Sequence, residues 1–278
     1  MRRTSRVAIL VLLFLAGLGG LAVASDDTDE KTPVEPAHPS HKIPTNMAEK
    51  ATDPSAILTQ LGFYSWSGVE ENGESDSGTY LFQPVLPLSK TNVLRPALPF
   101  VSTPSPDRVS GMGDLFILDA FFFQIPNATW GIGPIASLPT ATDDKLGTGK
   151  LSLGFDFLFL YKGVKKNIFG FIFYPQFSIA GDDDRDDVRN LSYQIVWVKH
   201  FKWGYMGWTD QLGVVDFEHD NRTTFPVGVR VGRVFSAKGG KTLLNLAVQP
   251  YYTYQQEREN VYGLKIMATL IKPKWMKH

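Results

Sequence analysis

Residues 151–161 read LSLGFDFLFLY, and the period of that stretch is two. Leu151, Leu153, Phe155, Phe157, Phe159 and Tyr161 fall on one face, with Ser152, Gly154 and Asp156 opposite them, as alternating side chains of a half-buried strand require. A second run divides the same way, with Tyr262, Leu264, Ile266, Ala268 and Leu270 on one side and Gly263, Lys265, Met267 and Thr269 on the other. A third sets Leu244, Leu246, Val248, Pro250 and Tyr252 against Asn245, Ala247, Gln249 and Thr253. Runs of this kind between turn signals predict about twelve strands, near 61–69, 78–88, 92–102, 113–123, 129–138, 150–161, 167–178, 191–199, 203–214, 224–235, 242–254 and 261–271. Most have the roughly 9 to 11 residues that a tilted strand needs to cross a bilayer.

Soluble sandwiches alternate too, so the connections have to discriminate. Those after even-numbered strands are short and basic: Ser89–Thr91 around Lys90, Lys162–Lys166 with Lys165, Lys199–Lys202, and Ser236–Lys241 with Lys238. Those after odd-numbered strands are acidic and longer. They carry Glu70, Glu71, Glu74 and Asp76, then Asp107, then Asp143 and Asp144, then Asp182 to Asp187 around Arg185, then Asp216, Glu218 and Asp220, and last Glu257 and Glu259. Turns at one end and loops at the other predict an all-β fold, a transmembrane antiparallel β-barrel of about 12 strands with both termini periplasmic. Tyr80, Tyr161, Tyr174, Tyr193, Trp197, Trp203, Trp208, Tyr252, Tyr262 and Trp275 are expected near strand ends, as aromatic girdles. Gln83, Arg95, Asp119, Asp156, Gln176, Gln194, Arg230, Asn245, Gln249 and Lys265 phase inward. Unpaired in a dry core they would cost several kcal/mol each, about the usual penalty, whereas a wet lumen holds them cheaply. Pro84, Pro87, Pro96, Pro99, Pro134, Pro175 and Pro250 lie in or near these strands and each removes a ladder donor, which calls for bulges or locally wider spacing. The chain ends in KPKWMKH, without the terminal aromatic residue usual in such barrels.

Composition limits the alternatives. The 278 residues contain no Cys, which excludes disulfide scaffolds, Cys-bound zinc, iron–sulfur clusters, thiol nucleophiles and a lipoprotein anchor. Balanced charge, 28 basic against 28 acidic residues, argues against nucleic acid as a partner. Arg2, Arg3 and Arg6 precede the apolar run Val7–Leu18 and the small-residue site Ala22-Val23-Ala24, which read as a cleaved signal peptide over 1–24. Its removal leaves 25 basic against 28 acidic residues, about −3. Residues 25–58 are rich in charge and Pro and are expected to form a flexible periplasmic segment, with at most one short helix around Met47–Lys50. The barrel is expected over 59–278. His38 and His41, with Pro39 between them, belong to that solvated linker rather than to a metal site.

Four stretches carry a family resemblance: GMGDLFILDAFFF at 111–123, WGIGPIASLPTATDDKLGTGK at 130–150, FSIAGDDDRDDV at 177–188 and FPVGVRVGRVF at 225–235. Together they resemble the bacterial outer-membrane barrel family named for the meta-pathway of phenol degradation, over roughly residues 78 to 272. The resemblance implies an exported barrel of a transporter family linked in some cases to uptake of aromatic compounds. It implies no catalytic or binding residues.

Local motifs add little chemistry. Asp182, Asp184 and Asp186 alternate as a Ca²⁺ or Mg²⁺ site would need, but the calcium-loop Gly and closing Glu are missing, and an acidic loop braced by Arg185 accounts for them. Loose divalent bridging to anionic lipid is the form of metal binding expected there. LPTATDDKLGTGK lacks the first Gly of a phosphate loop. No GxSxG occurs, and His200 and His219 are expected at opposite ends of the wall, so no enzyme is expected. The sequence predicts an outer-membrane pore for passive uptake of small molecules, without cofactors, and the resemblance implies aromatic or hydrophobic compounds among them. Arg95, Asp119, Asp156, Arg230 and Lys265 are expected to line its lumen. The alternative is a non-conducting barrel with a structural, adhesion or receptor role. Expected partners are outer-membrane lipids, small solutes and the barrel-assembly machinery.

Overall fold

The computed structural model describes residues 45–73, 76–104, 106–236 and 242–272. The expected signal peptide, His38, His41, Glu74, the turn at 237–241 and the end from residue 273, with Trp275, lie outside the described residues. The first element is a short helix, α1 (Thr45–Ala51), and all the others except one 3-10 turn are strands. In chain order they are β1 (Thr59–Glu70), β2 (Asp76–Pro87), β3 (Asn92–Ser102), β4 (Ser110–Met112), β5 (Leu115–Ile125), β6 (Ala128–Leu138), β7 (Lys150–Tyr161), β8 (Asn167–Gly181), β9 (Arg189–His200), β10 (Tyr205–Trp208), β11 (Gly213–Asp216), β12 (Arg222–Ser236), β13 (Leu243–Gln255) and β14 (Val261–Lys272).

Every pairing is antiparallel, and β1 closes on β14 from Thr59↔Lys272 to Glu70↔Val261. The fourteen segments form twelve staves, because β4 with β5, and β10 with β11, each make one interrupted stave. Closure leaves no free edge, which a bilayer demands of any sheet that crosses it. Among the described residues no helix is long and apolar enough to span a membrane. Both ends of the barrel chain sit at the end that carries the short turns, of two to six residues, while the loops at the other end run from five to eleven. The tightest turn, Pro126-Asn127, places Asn127 at φ +60°, a conformation Asn tolerates well.

The apolar face points outward. In β7 Leu153, Phe155 and Tyr161 are exposed, while Ser152, Asp156, Leu158 and Leu160 are buried. In β14 Ile266 and Leu270 are outside, with Lys265, Met267, Thr269 and Ile271 inside. Tyr80, Tyr161, Trp203 and Tyr252 stand on the outer surface, but Tyr174 lines the interior.

Pro87 and Pro99 stay in the β2–β3 ladder opposite Val93 and Leu81, and the other five prolines are absorbed by local loss of pairing rather than by change of register. Pro84 and Pro96 stand opposite each other across the β2–β3 seam, and the ladder lapses there between Phe82↔Leu98 and Leu86↔Leu94. Pro134, Pro175 and Pro250 coincide with matching lapses in β5–β6, β7–β8 and β12–β13. The register on either side of each lapse is unchanged, and on its other flank each of these strands stays paired. One irregularity does shift register, between Leu151 and Ser152 in β7–β8. Beside the Pro175 lapse, any Cβ on Gly154 would overlap the Pro175 carbonyl oxygen, so only glycine lets the strands approach this closely.

Candidate functional site: the barrel lumen

Inside, the lumen has two zones. Toward the short-turn end it is a packed apolar core, in which Val93, Leu160, Val198 and Ile271 are fully buried. The segment ahead of β1 takes part in that core: Ala51, Ala56 and Leu58 belong to it, and Met47, Ala48 and Ile57 pack against it. Polar contacts fasten the same segment. Lys162 Nζ donates to Asp53 Oδ2 at 2.5 Å, to Ser55 Oγ at 2.9 Å and to Thr129 Oγ1 at 2.9 Å. Thr52 Oγ1 lies 2.7 Å from His200 Nε2, and Arg95 donates to the Pro54 carbonyl. The stretch read from sequence as a flexible lead-in thus contains, in its described part, a helix and a turn seated within the barrel.

Above that core lies a chamber of about 540 Å³ lined by Gln83, Arg95, Arg230, Asn245 and Lys265, with Tyr64, Trp66, Phe116, Tyr174 and Tyr205 among them. The stave made of β10 and β11 supplies an internal acid that carries two cations. Between β10 and β11 the chain leaves the wall at Thr209–Leu212, and Asp210 accepts from Lys265 Nζ at 2.9 Å and faces Arg230 Nη1 at 3.7 Å. Gln249 holds that excursion: its Oε1 accepts from Asp210 N at 3.0 Å, and its Nε2 donates to Thr209 Oγ1 at 2.9 Å. Lys265 also lies over the rings of Trp66 and Tyr64, 4.9 and 5.2 Å from their centroids, and Arg230 lies 5.8 Å from that of Tyr205. Such buried, shared ion pairs fix geometry more than they add stability.

The five residues read as lumen-lining separate. Arg95, Arg230 and Lys265 face the chamber, and Asp156 is buried within the interior with Oδ1 lacking a hydrogen bond. Asp119 is a correction: Phe116, Leu118, Ala120 and Phe122 are the inward set of β5, so alternation sends Asp119 outward, where Asn92 Nδ2 donates to it at 2.6 Å. Polarity alone points Asp119 inward, but in β5 the inward set is apolar because it feeds the packed core. Asp210 was missed because its stretch reads as an ordinary strand; the Thr-Asp-Gln at 209–211, polar on consecutive positions, is the signal that alternation breaks there.

The acidic loops do not converge on a cation site. Asp182 accepts from Asp184 N, Asp186 faces His219, and Asp187 pairs with Lys150 at 3.1 Å. Among the described residues no group of three acids or histidines is placed to hold a metal. His219 instead joins two loops, with Nδ1 2.9 Å from Asp216 and Nε2 3.3 Å from Asp186. Asp216, and less strongly Asp186, hold its imidazole above the usual value. His200 lies at the opposite end of the barrel, against Thr52.

These features define a closed β-barrel of twelve staves with an apolar exterior and a partly filled polar lumen. Among solved structures the chain is similar to one described as the COG4313 outer membrane channel from Pseudomonas putida F1, with TM-score 0.54 and 14% identity over 80% of this chain and 99% of that one. At that identity the likeness is one of fold. A second solved chain, described under the mechanism of in-meso crystallization of membrane proteins, has TM-score 0.39 and 11% identity over 74% of this chain and 83% of the other, too low to bear on the argument. No family model and no curated protein matches the chain.

Proposed function

We propose that the chain is an outer-membrane channel for passive uptake of small molecules, aromatic or hydrophobic compounds among them, with its short turns and both termini in the periplasm and its acidic loops outside the cell. The observation that carries the reading is the polar chamber, whose cationic and aromatic lining is enclosed by a wall that is apolar outside. A barrel serving only as a wall anchor has no use for buried Arg and Lys, each costly to desolvate. The resemblance to the phenol meta-pathway family and the channel described for the Pseudomonas putida barrel support the same reading.

Selectivity in this channel comes from the charges around the chamber and from residues 45–58 seated below it. The test is single-channel conductance of the refolded mature protein in planar bilayers, with phenol and benzoate as blockers. Discrete steps that a solute blocks are expected, and replacing Arg95 and Arg230 by Gln should shift the reversal potential toward cation preference. A folded barrel that never conducts would favour the non-conducting structural or receptor role.

A further inference from the structure

Within the chamber, Arg95 differs from the other two cations. Arg230 and Lys265 share Asp210. Arg95 makes no ion pair among the described residues, and its buried Nε, like that of Arg230, has no hydrogen-bond partner, although one terminal nitrogen donates to the Pro54 carbonyl. Asp156 feels the Arg95 charge but shares no hydrogen bond or ion pair with it, and Asp156 does not line the chamber. The other chamber carboxylates are engaged elsewhere. Asp53 is paired with Lys162 below, while Asp114 accepts from Ala141 N, Thr148 N and Thr148 Oγ1.

An orphaned amide donor lines the same space. Gln176 Nε2 is buried with no partner, two residues along β8 from Tyr174. Tyr174 meets Phe116 edge to face at 6.3 Å, a ring pair that spans the interior from β8 to β5, and Tyr174 lies within the field of Arg95. Leaving donors buried without acceptors is costly, more so for a charged one, and an anionic acceptor would recover that cost. A guanidinium matches a carboxylate fork, and the volume falls within the roughly 300–1,000 Å³ usual for small-molecule sites.

We propose that the chamber holds a binding site for a small aromatic carboxylate, with the carboxylate on Arg95 and Gln176 and the ring against Tyr174 and Phe116. This deepens the uptake reading and rests on it for its physiological meaning, since it names the class of solute that the channel would select. The site also touches residues 45–58, because the guanidinium offered to the anion is the one that holds Pro54.

The test is calorimetric titration of the full mature chain in detergent with benzoate, with its neutral isostere benzamide, and with acetate. Benzoate should bind saturably, and both benzamide and acetate at least about tenfold more weakly, the loss of one charge-assisted contact or of the ring. Arg95→Gln should cost benzoate at least about tenfold and leave benzamide unchanged, while Arg95→Lys recovers part of the loss. Arg233→Gln, on the outer surface, should change nothing. Equal binding of benzoate and benzamide by the wild type overturns the proposal without recourse to any variant, as does unchanged benzoate affinity in a folded Arg95→Gln protein. Liposome flux of benzoate on the same samples separates the two readings. Binding without flux leaves the site and removes the uptake function, and flux without charge discrimination leaves the channel and removes the site.

Discussion

Asp210 is the residue on which the lumen charge turns. It balances Lys265 and Arg230 from an inward excursion that Gln249 braces. Its isosteric neutralisation, Asp210→Asn, would leave Arg230 and Lys265 without their shared carboxylate, and bilayer reversal potentials should move toward anion preference. Lys265→Met removes one partner of a buried pair but leaves Arg230 on Asp210. Its cost should lie toward the lower end of the roughly 3–5 kcal/mol typical of a broken buried pair, read as an earlier urea midpoint. His219 makes a different prediction, at the opposite loops. Its folded-state pKa is raised, so the stabilisation from Asp216 and Asp186 is fully present below the usual value of about 6.5 and is lost as pH rises through the raised value. Protease nicking at residues 182–188 and 217–221 should therefore increase as pH rises through that window, and His219→Gln should abolish the increase.

Among the elements, the stretch from α1 to β1 has the largest consequence. It is seated by apolar contacts from Ala51, Ala56 and Leu58 and tied down by Asp53, Ser55 and Thr52. Lys162 joins Asp53, Ser55 and Thr129, so Lys162→Ala leaves a half-buried carboxylate without its cation, held only by the Ser55 amide and hydroxyl. The expected result is a segment that dissociates more often, seen as larger or more frequent conductance steps with the barrel itself still folded. Steps identical to wild type would mean that the apolar contacts suffice to hold it. The proline-bearing strands show how a closed wall tolerates missing donors. Each lapse is flanked by intact ladder of the same register, so the cost stays local and the inward and outward faces do not exchange.

For the whole molecule, the outward belt sets the solvent. Phe63, Tyr80, Phe155, Ile179 and Ile266 are each about half exposed or more, on a closed sheet with no second layer to cover them. A contiguous apolar surface of that kind is stable in lipid and aggregates in water. The protein should stay with the pellet after alkaline carbonate washing and be released by detergent, migrating faster unheated than boiled on gels. Release by carbonate alone would identify a soluble β-protein.

The strand count, the alternation of short turns with long loops and the outward choice of face were legible in the sequence, because a period of two and turn chemistry are local properties. Arg95, Arg230 and Lys265 were legible as inward for the same reason. Asp119 was not, since polarity points inward only where the lumen is wet, and the filling of the lower lumen depends on residues brought from 45–58 and from eleven strands. The same holds for Asp210. Its inward turn is fixed by Gln249 and by two cations 20 and 55 residues away, which meet it only when the barrel closes. Sequence determined the wall, through interactions between neighbours along the chain and across hairpins. Tertiary structure decided the lumen, because what fills a closed cylinder is set by side chains that converge from all around it.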